Sequence, residues 1–249
     1  MSSYEVPRSD SAATPDSPLS PRAAYNILAK HYDAWYWQEF WHRNEAPLVG
    51  EAFRRVSGRQ RLLDIGTGTG FYAARATESG WDSVGMDISE NMLDVAREHY
   101  GSRIQLVHAD VGSLPFHRAV FDVAIAARVL THVRDVKSAL AEAARVLSVG
   151  GRLVVTDVDA AHDYRATRMQ IGDSMIYVDT YKHTAPEIIT AAHAVGLVFK
   201  RGRRLTAQNV AWLPDTEEFK SIDRSGSRPI AYVLTFRRAL QTRTFSTRS

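Results

Sequence analysis

The segment from Arg61 to Gly80 constrains the fold more than any other. Arg61–Asp64, with Leu62 and Leu63, reads as a short buried strand, and Phe71–Ser79 reads as a helix with Gly80 as its C′ residue. Between them lies the turn Asp64-Ile65-Gly66-Thr67-Gly68-Thr69-Gly70. Glycines at such a turn let a ligand approach the backbone, and the helix behind them presents free N–H groups at its start. The spacing is G-x-G-x-G. A dinucleotide fingerprint, G-x-G-x-x-G, needs glycine at 71, where this chain has Phe71. An acid two residues before the first glycine, Asp64, repels a pyrophosphate and suits a ligand that bears an amine.

The strand–helix alternation continues. Strands are expected at Asp82–Asp87, Ile104–His108, Phe121–Ala126 and Arg152–Asp157. Helices are expected at Glu90–Tyr100, with Ser89 as N-cap, and at Val136–Leu147, capped by Asp135 and stopped at Gly150–Gly151. Strands separated by helices of this length imply right-handed crossovers and a parallel, doubly wound α/β sheet. Beyond Asp157 residues 158–183 show no clear period. A helix over Glu187–Val195 and strands over Leu197–Thr206 and Ile230–Phe236 follow, the last apolar on both faces and so buried on both sides.

Composition narrows the chemistry. The 249 residues include no Cys, which excludes disulfides, thiolate metal sites and a Cys nucleophile. The chain has no run of 18 apolar residues and no secretory signal, so a cytoplasmic protein without membrane contact is expected. The first 22 residues, rich in Ser, Pro and Asp, are expected to be disordered. Residues 23–57 carry Tyr25, Leu28, Tyr32 and Trp35 at helical spacing and read as a helical cap. Residues 197–249 hold 11 Lys/Arg against 4 Asp/Glu, a basic end that reads either as a solvated face or as a polyanion-binding tail. The expected organisation is a tail over 1–22, a cap over 23–57, a cofactor-binding core over 58–157 and a substrate-covering insertion over 158–183. A helix and strand pair completes the sheet over 184–238, and 239–249 is a frayed basic tail.

Acids follow successive strands. Asp87 ends the second strand, where a carboxylate can accept both hydroxyls of a ribose. Asp110 follows the third and could accept an adenine amine. Each alone is also an ordinary turn or cap residue.

The runs LLDIGTGTG, GMDIS, HADVGSLPF, FDVAIAARVLTHV and LAEAARVLSVGGRLVVTD resemble, in order, the motifs of class I S-adenosylmethionine-dependent methyltransferases. The resemblance is to the small-molecule branch that includes quinone-biosynthesis and natural-product enzymes, and it covers about residues 25–236. It implies a seven-stranded, mostly parallel Rossmann-like sheet with the last strand antiparallel, the segments 197–206 and 230–236 forming the terminal pair. It implies S-adenosylmethionine as cofactor and S-adenosylhomocysteine as product. Asp64, Gly66, Thr67, Gly68 and Gly70 would hold the methionine part. Asp87 would take the ribose, Ile88 and Met92 would pack on the adenine, and Asp110 and Val111 would read its edge. Ala126 and Ala127 would flank the sulfonium, and Tyr25 or Tyr32 would form an aromatic lid or simply pack within the cap. Thr67 replaces the commonest Cys of its motif, and Thr131-His132 stands where two consecutive His are frequent.

Methyl transfer needs a base only when the acceptor must lose a proton. His132 is the first candidate by position, with His183, His162 and Asp157 behind it; His132 could equally brace its loop, and His183 could cap or shape. The aromatic and apolar residues Trp35, Tyr36, His162, Tyr164, Met175 and Tyr177 would cover an apolar or aromatic small-molecule acceptor, or they form the cap's own core. No metal-binding constellation is visible, and a monomer or homodimer is expected. A nucleic-acid methyltransferase is disfavoured because the fourth strand ends in Ala126-Ala127-Arg128, not in an Asn/Asp-Pro-Pro-aromatic loop. A relative of the fold that binds the cofactor without methylating, a cyclase or a scaffold, stays open.

Overall fold

The computed structural model describes residues 17–53, 60–160, 167–213 and 229–240. Its centre is a seven-stranded sheet in the order β3-β2-β1-β4-β5-β9-β8. The strands are β1 (Arg61–Ile65), β2 (Asp82–Asp87), β3 (Gln105–His108), β4 (Phe121–Ala127), β5 (Leu147–Val158), β8 (Leu197–Thr206) and β9 (Pro229–Arg238). The pairs β1–β2, β1–β4, β2–β3 and β4–β5 are parallel, whereas β9 runs antiparallel to both β5 and β8. The sheet is thus mostly parallel with one antiparallel strand. Strand order reverses between β1 and β4, which opens a crevice at their carboxyl ends.

One face packs on α6 (Val136–Val146) and α7 (Ala185–Ala194) through Leu140, Ala143, Ile188 and Ala192 against Leu63, Ala124, Leu153 and Leu234, all buried. The other face packs on α4 (Phe71–Glu78) and α3 (Ala46–Gly50). Capping chemistry sets the boundaries: Ser89 Oγ accepts from Met92 N ahead of α5 (Glu90–Tyr100), and Thr184 and Glu187 form a reciprocal capping box at α7. β9 is buried on both faces, as its continuous apolar run requires.

The cap is more broken than its periodicity suggests. α1 (Pro21–Leu28) passes into a 3₁₀ turn, Ala29–Ala34; α2 (Trp37–Phe40) passes into a π-helical turn, Trp41–Glu45, and then α3. Trp37, Phe40 and Trp41 are buried against Leu205, Ile230 and Ala231, so these aromatics bolt the cap to the β8–β9 end of the sheet.

Three boundaries differ from expectation. Order begins before residue 22: Leu19 N donates to Tyr177 O at 3.0 Å, and Ser20 caps α1. Residues 1–16 lie outside the described residues. α6 ends at Val146, because Leu147 already pairs with Phe121; Gly150 (φ 78) and Gly151 shape an irregularity in β5 where a helix stop was expected. Residues 158–183 contain a hairpin, β6 (Thr167–Ile171) and β7 (Ser174–Val178), whose Met169 and Val178 pack on Ala24 and Leu28 of α1.

Candidate cofactor cleft

The turn after β1 is held in shape from below. Gly66, Gly68 and Gly70 have φ of 67°, 55° and 92°, the left-handed region that glycine occupies without strain. A Cβ on Gly66 would lie 2.3 Å from Val129 Cγ2. Thr67 N donates to Met86 O at 2.8 Å, and Gly68 N donates to Asp87 Oδ2 at 2.9 Å, which ties the turn to β2.

The two motif acids therefore work within the protein. Asp64 is 1% exposed and sits under the turn, accepting from Thr67 Oγ1 at 2.7 Å and Ala73 N at 3.1 Å. Burial raises its carboxyl to about 7 despite those bonds. Asp87 is 7% exposed, and Ser89 N donates to its other oxygen at 2.9 Å. Burial raises its pKa as well. The strand end at Asp87 is thus buried and not exposed. A carboxylate has about four acceptor sites, and the backbone donors of Ser89, Gly68 and Ile88 do not fill all of them.

Above the turn opens a cleft of about 240 Å³. Gly66, Thr67, Gly68 and Thr69 form its floor; Phe71, Tyr72 and Tyr100 come from the helices beside it. The cap contributes Tyr32, Asp33, Gln38 and His42, and the end of β4 contributes Ala127 and Arg128. Asp33 accepts from Thr69 Oγ1 at 2.7 Å and so closes the cap onto the turn. His42 stacks on Phe71 at 4.1 Å, and burial, then the charge of Arg128, lowers its pKa and keeps it neutral. Of the residues assigned by resemblance, the cleft brings together Tyr32, Gly66, Thr67, Gly68 and Ala127. Gly70 instead starts α4, and Ala126 is buried in the main core. Met92 is buried with Ala29, Val95, Tyr25 and Tyr32. Ile88 is half-buried, its carbonyl facing His108 Nε2 at 2.9 Å. Asp110 is exposed and accepts from Gly112 N at 2.7 Å, and Val111 packs on the core.

The histidines take bracing positions. His132 Nδ1 donates to Asp179 O at 2.7 Å, which leaves Nε2 to accept from Tyr25 O–H at 2.8 Å. Burial pushes this imidazole down to about 4, so it stays neutral with both nitrogens engaged. It therefore latches α1 to the loop after β4 and does not stand on the cleft wall. His183 Nε2 donates to Val133 O at 2.8 Å, again a brace. Asp157 is buried at the end of β5, accepts from Thr131 N at 2.8 Å, and is raised to about 7 by burial.

None of Trp35, Tyr36, Met175 and Tyr177 lines the cleft. Trp35 is half-buried within the cap, Tyr36 and Met175 are 39% and 41% exposed, and Tyr177 is half-buried on β7. His162 and Tyr164 lie outside the described residues. Asp33, Gln38, His42 and Arg128 line the cleft without having stood out in the sequence. The one available signal was Arg128, a lone cation placed directly after an apolar strand; Asp33 and His42 reach the cleft from 3₁₀ and π turns and Gln38 from the short α2 between them, a broken path that a regular period does not reveal.

The fold and this crevice define a doubly wound α/β protein with a cleft at its switch point, and comparison with known proteins narrows the class. Residues 63–155 match a family described as the methyltransferase domain. An O-methyltransferase of Penicillium expansum is 34% identical over 151 residues, 55% of this chain and 54% of its own length. A demethylmenaquinone methyltransferase of Clavibacter sepedonicus is 36% identical over 123 residues, 49% of this chain and 46% of its own length. The chain thus spans about half the length of these curated relatives. A solved S-adenosylmethionine-dependent methyltransferase of Mesorhizobium loti superposes with a TM-score of 0.60 at 20% identity, covering 78% of this chain and 97% of that one. Residues 63–155 therefore resemble a methyltransferase domain, and the chain shares the fold of solved S-adenosylmethionine-dependent methyltransferases. The cleft suits a ligand such as S-adenosylmethionine that approaches the backbone: the floor is Cβ-free at Gly66 and Gly68, and Ala127 is small. No helix among the described residues is long and apolar enough to cross a membrane.

Proposed function

We propose that the protein transfers a methyl group from S-adenosylmethionine to an oxygen, nitrogen or carbon atom of an apolar or aromatic small molecule, in biosynthesis or secondary metabolism. The observation that carries this is the position of the cleft. It opens where strand order reverses between β1 and β4, over a left-handed glycine turn at the start of α4. The names of the Penicillium and Clavibacter relatives support methylation of small molecules.

When bound, the cofactor supplies an electrophilic methyl on a positively charged sulfur with a good leaving group. The chain's own residues then have mainly to position and to exclude water. Gly66, Thr67 and Gly68 would hold the methionine end through the backbone, Asp87 the ribose, and Ile88, Met92, Asp110 and Val111 the adenine. Ala127, with Ala126 behind it, leaves room at the end of β4 for an acceptor to approach. Tyr32 would close over the cleft. His132, neutral and doubly bonded, would act by fixing Tyr25 and the cap rather than by taking a proton, so a protonated acceptor would have to ionise by other means. Trp35, Tyr36, Met175 and Tyr177 would touch an acceptor only at the outer mouth.

The test is to incubate the purified chain with S-adenosylmethionine and a panel of phenols, quinols, aromatic acids and amines, following each by mass spectrometry. The reading expects at least one acceptor to gain the mass of a methylene with equal release of S-adenosylhomocysteine. Binding of both sulfur compounds with no transfer to any acceptor class would favour a non-methylating relative instead.

A further inference from the structure

We propose that the end of the sheet remote from the cleft, where Arg152 and Arg237 meet beside Val149 and Leu240, is a peripheral docking surface for an anionic lipid bilayer. It does not rest on the methyl-transfer reading above and can fail without it.

Arg152 pairs with Val123 near the amino end of β4, whereas the cleft opens at the carboxyl end of that strand. On its other side Arg152 lies directly opposite Arg237 of β9 in the antiparallel register. Like charges so placed are destabilising. Burial, and then the charge of Arg237, lowers the pKa of Arg152. Among the described residues neither guanidinium meets a carboxylate: Arg237 Nη1 donates to Gly150 O at 3.1 Å, and Arg152 is half-buried. The neighbouring strand β8 adds Lys200, Arg201, Arg203 and Arg204, all exposed, of which Arg201 is paired with Glu51. From Leu197 to Leu213 and from Pro229 to Leu240 there is no Asp or Glu. Arg118 is exposed at the same end, close enough that its charge adds to burial in lowering the pKa of Arg238. The acids of β4 and α6 at this end are engaged, Asp122 by Arg61 N and Glu142 by Arg145.

Lys and Arg on an edge strand keep other chains from pairing with it, which accounts for the charges of β8. It does not account for Arg152 and Arg237, because β5 and β9 are paired on both sides. The cations also stand among exposed apolar side chains. Val149, 52% exposed, precedes the carbonyl that Arg237 holds, and Leu240, 78% exposed, lies three residues past Arg237. Cations beside exposed aliphatic groups suit a bilayer, whose anionic headgroups take the charge and whose acyl boundary takes the side chains. A single-stranded nucleic acid would favour aromatic stacking platforms. The exposed ring at this end, Phe199, packs edge-on against Phe236 instead. A second copy of the chain would bring the same charge to the same place. The contact is peripheral, since no helix among the described residues is long and apolar enough to cross a membrane. It departs from the expectation of a protein without membrane contact, and it leaves the cleft facing away from the lipid.

Co-sedimentation of the full chain with phosphatidylcholine vesicles, with and without phosphatidylserine, tests the surface. The chain should bind the phosphatidylserine vesicles at low salt, bind phosphatidylcholine alone at least about tenfold more weakly, and be released as salt rises. The double variant Arg152→Gln with Arg237→Gln should weaken vesicle binding about 25-fold, near fivefold for each cation. The same variant should keep or raise the melting temperature, because it removes a like-charge pair; a purely structural role would lower it. Val149→Ser should weaken binding by about threefold or more through the loss of an inserted apolar side chain. Should the double variant not fold, Arg237→Gln, at an exposed position, decides alone. Wild type that ignores phosphatidylserine vesicles or binds both kinds equally, or folded variants that bind as wild type does, overturn the proposal. A single-stranded oligonucleotide or polyglutamate bound more tightly than the vesicles at the same salt, with Val149→Ser without effect, overturns lipid as the partner and assigns the surface to a nucleic acid or an acidic protein.

Discussion

Asp87→Ala tests both the architecture of the cleft and its proposed ligand. The carboxylate accepts from Gly68 N and Ser89 N, both at 2.9 Å, and is 7% exposed. Alanine would leave two inward N–H donors without acceptors, at about 1–3 kcal/mol each. Removing a carboxylate whose burial raises its pKa offsets part of this, so a net loss of about 2–4 kcal/mol is expected. For a chain of this size that is a fall in melting temperature of about 4–16 °C. If Asp87 also takes the ribose hydroxyls, S-adenosylhomocysteine affinity should fall by a further 1.5–3 kcal/mol or so, about ten- to 150-fold. Circular dichroism melts give the first number and calorimetry on the folded variant the second. A variant with unchanged melting temperature would refute the bracing argument. One that is destabilised but binds S-adenosylhomocysteine as wild type does would refute the ribose assignment.

Gly66→Ala places a Cβ 2.3 Å from Val129 Cγ2 at φ 67° and should destabilise by about 1–3 kcal/mol, checked by urea melts. Trp41→Ala, at a site 2% exposed, should cost about 3–5 kcal/mol and loosen the cap, read by proteolysis of the N-terminal segment. His132 has a folded pKa of about 4 against 6.5 unfolded, so the unfolded chain binds more protons between those values. Its contribution is neutral above 6.5 and turns against folding as pH falls toward 4, by at most about 3 kcal/mol. Asp64 and Asp157, raised to about 7, act with the opposite slope: their contribution is full below their unfolded values and is lost as pH rises through about 7. The His132→Gln difference from wild type, measured by melts across that range, isolates the first effect; parallel profiles would contradict it.

Much of the fold was legible because the chain is locally consistent. β2 and α5 fall where their patterns and caps put them, and the Ser89 and Asp135 caps work as read. The sequence failed where tertiary pairing overrode a local signal. Gly150–Gly151 looked like a helix stop, yet Leu147 was drawn into β5 by Phe121. The hairpin over 167–178 was illegible because its inward residues, Met169 and Val178, make sense only against α1. The cleft divides the same way. Its glycine floor was visible as a motif, since backbone conformation dictates residue type there. Its walls were not: Asp33 and His42 reach it from 3₁₀ and π turns, Gln38 from the short α2 between them, and Arg128 through a left-handed residue. His132 was chosen by position, and only its two bonds show that it braces.

The crevice between β1 and β4 is proposed as the site of the S-adenosyl cofactor. Calorimetry of the wild-type chain against S-adenosylhomocysteine, with NAD as the comparison dinucleotide, tests it most directly. S-adenosylhomocysteine should bind saturably at one molecule per chain, with no comparable binding of NAD. Tight NAD binding with no response to S-adenosylhomocysteine would contradict it.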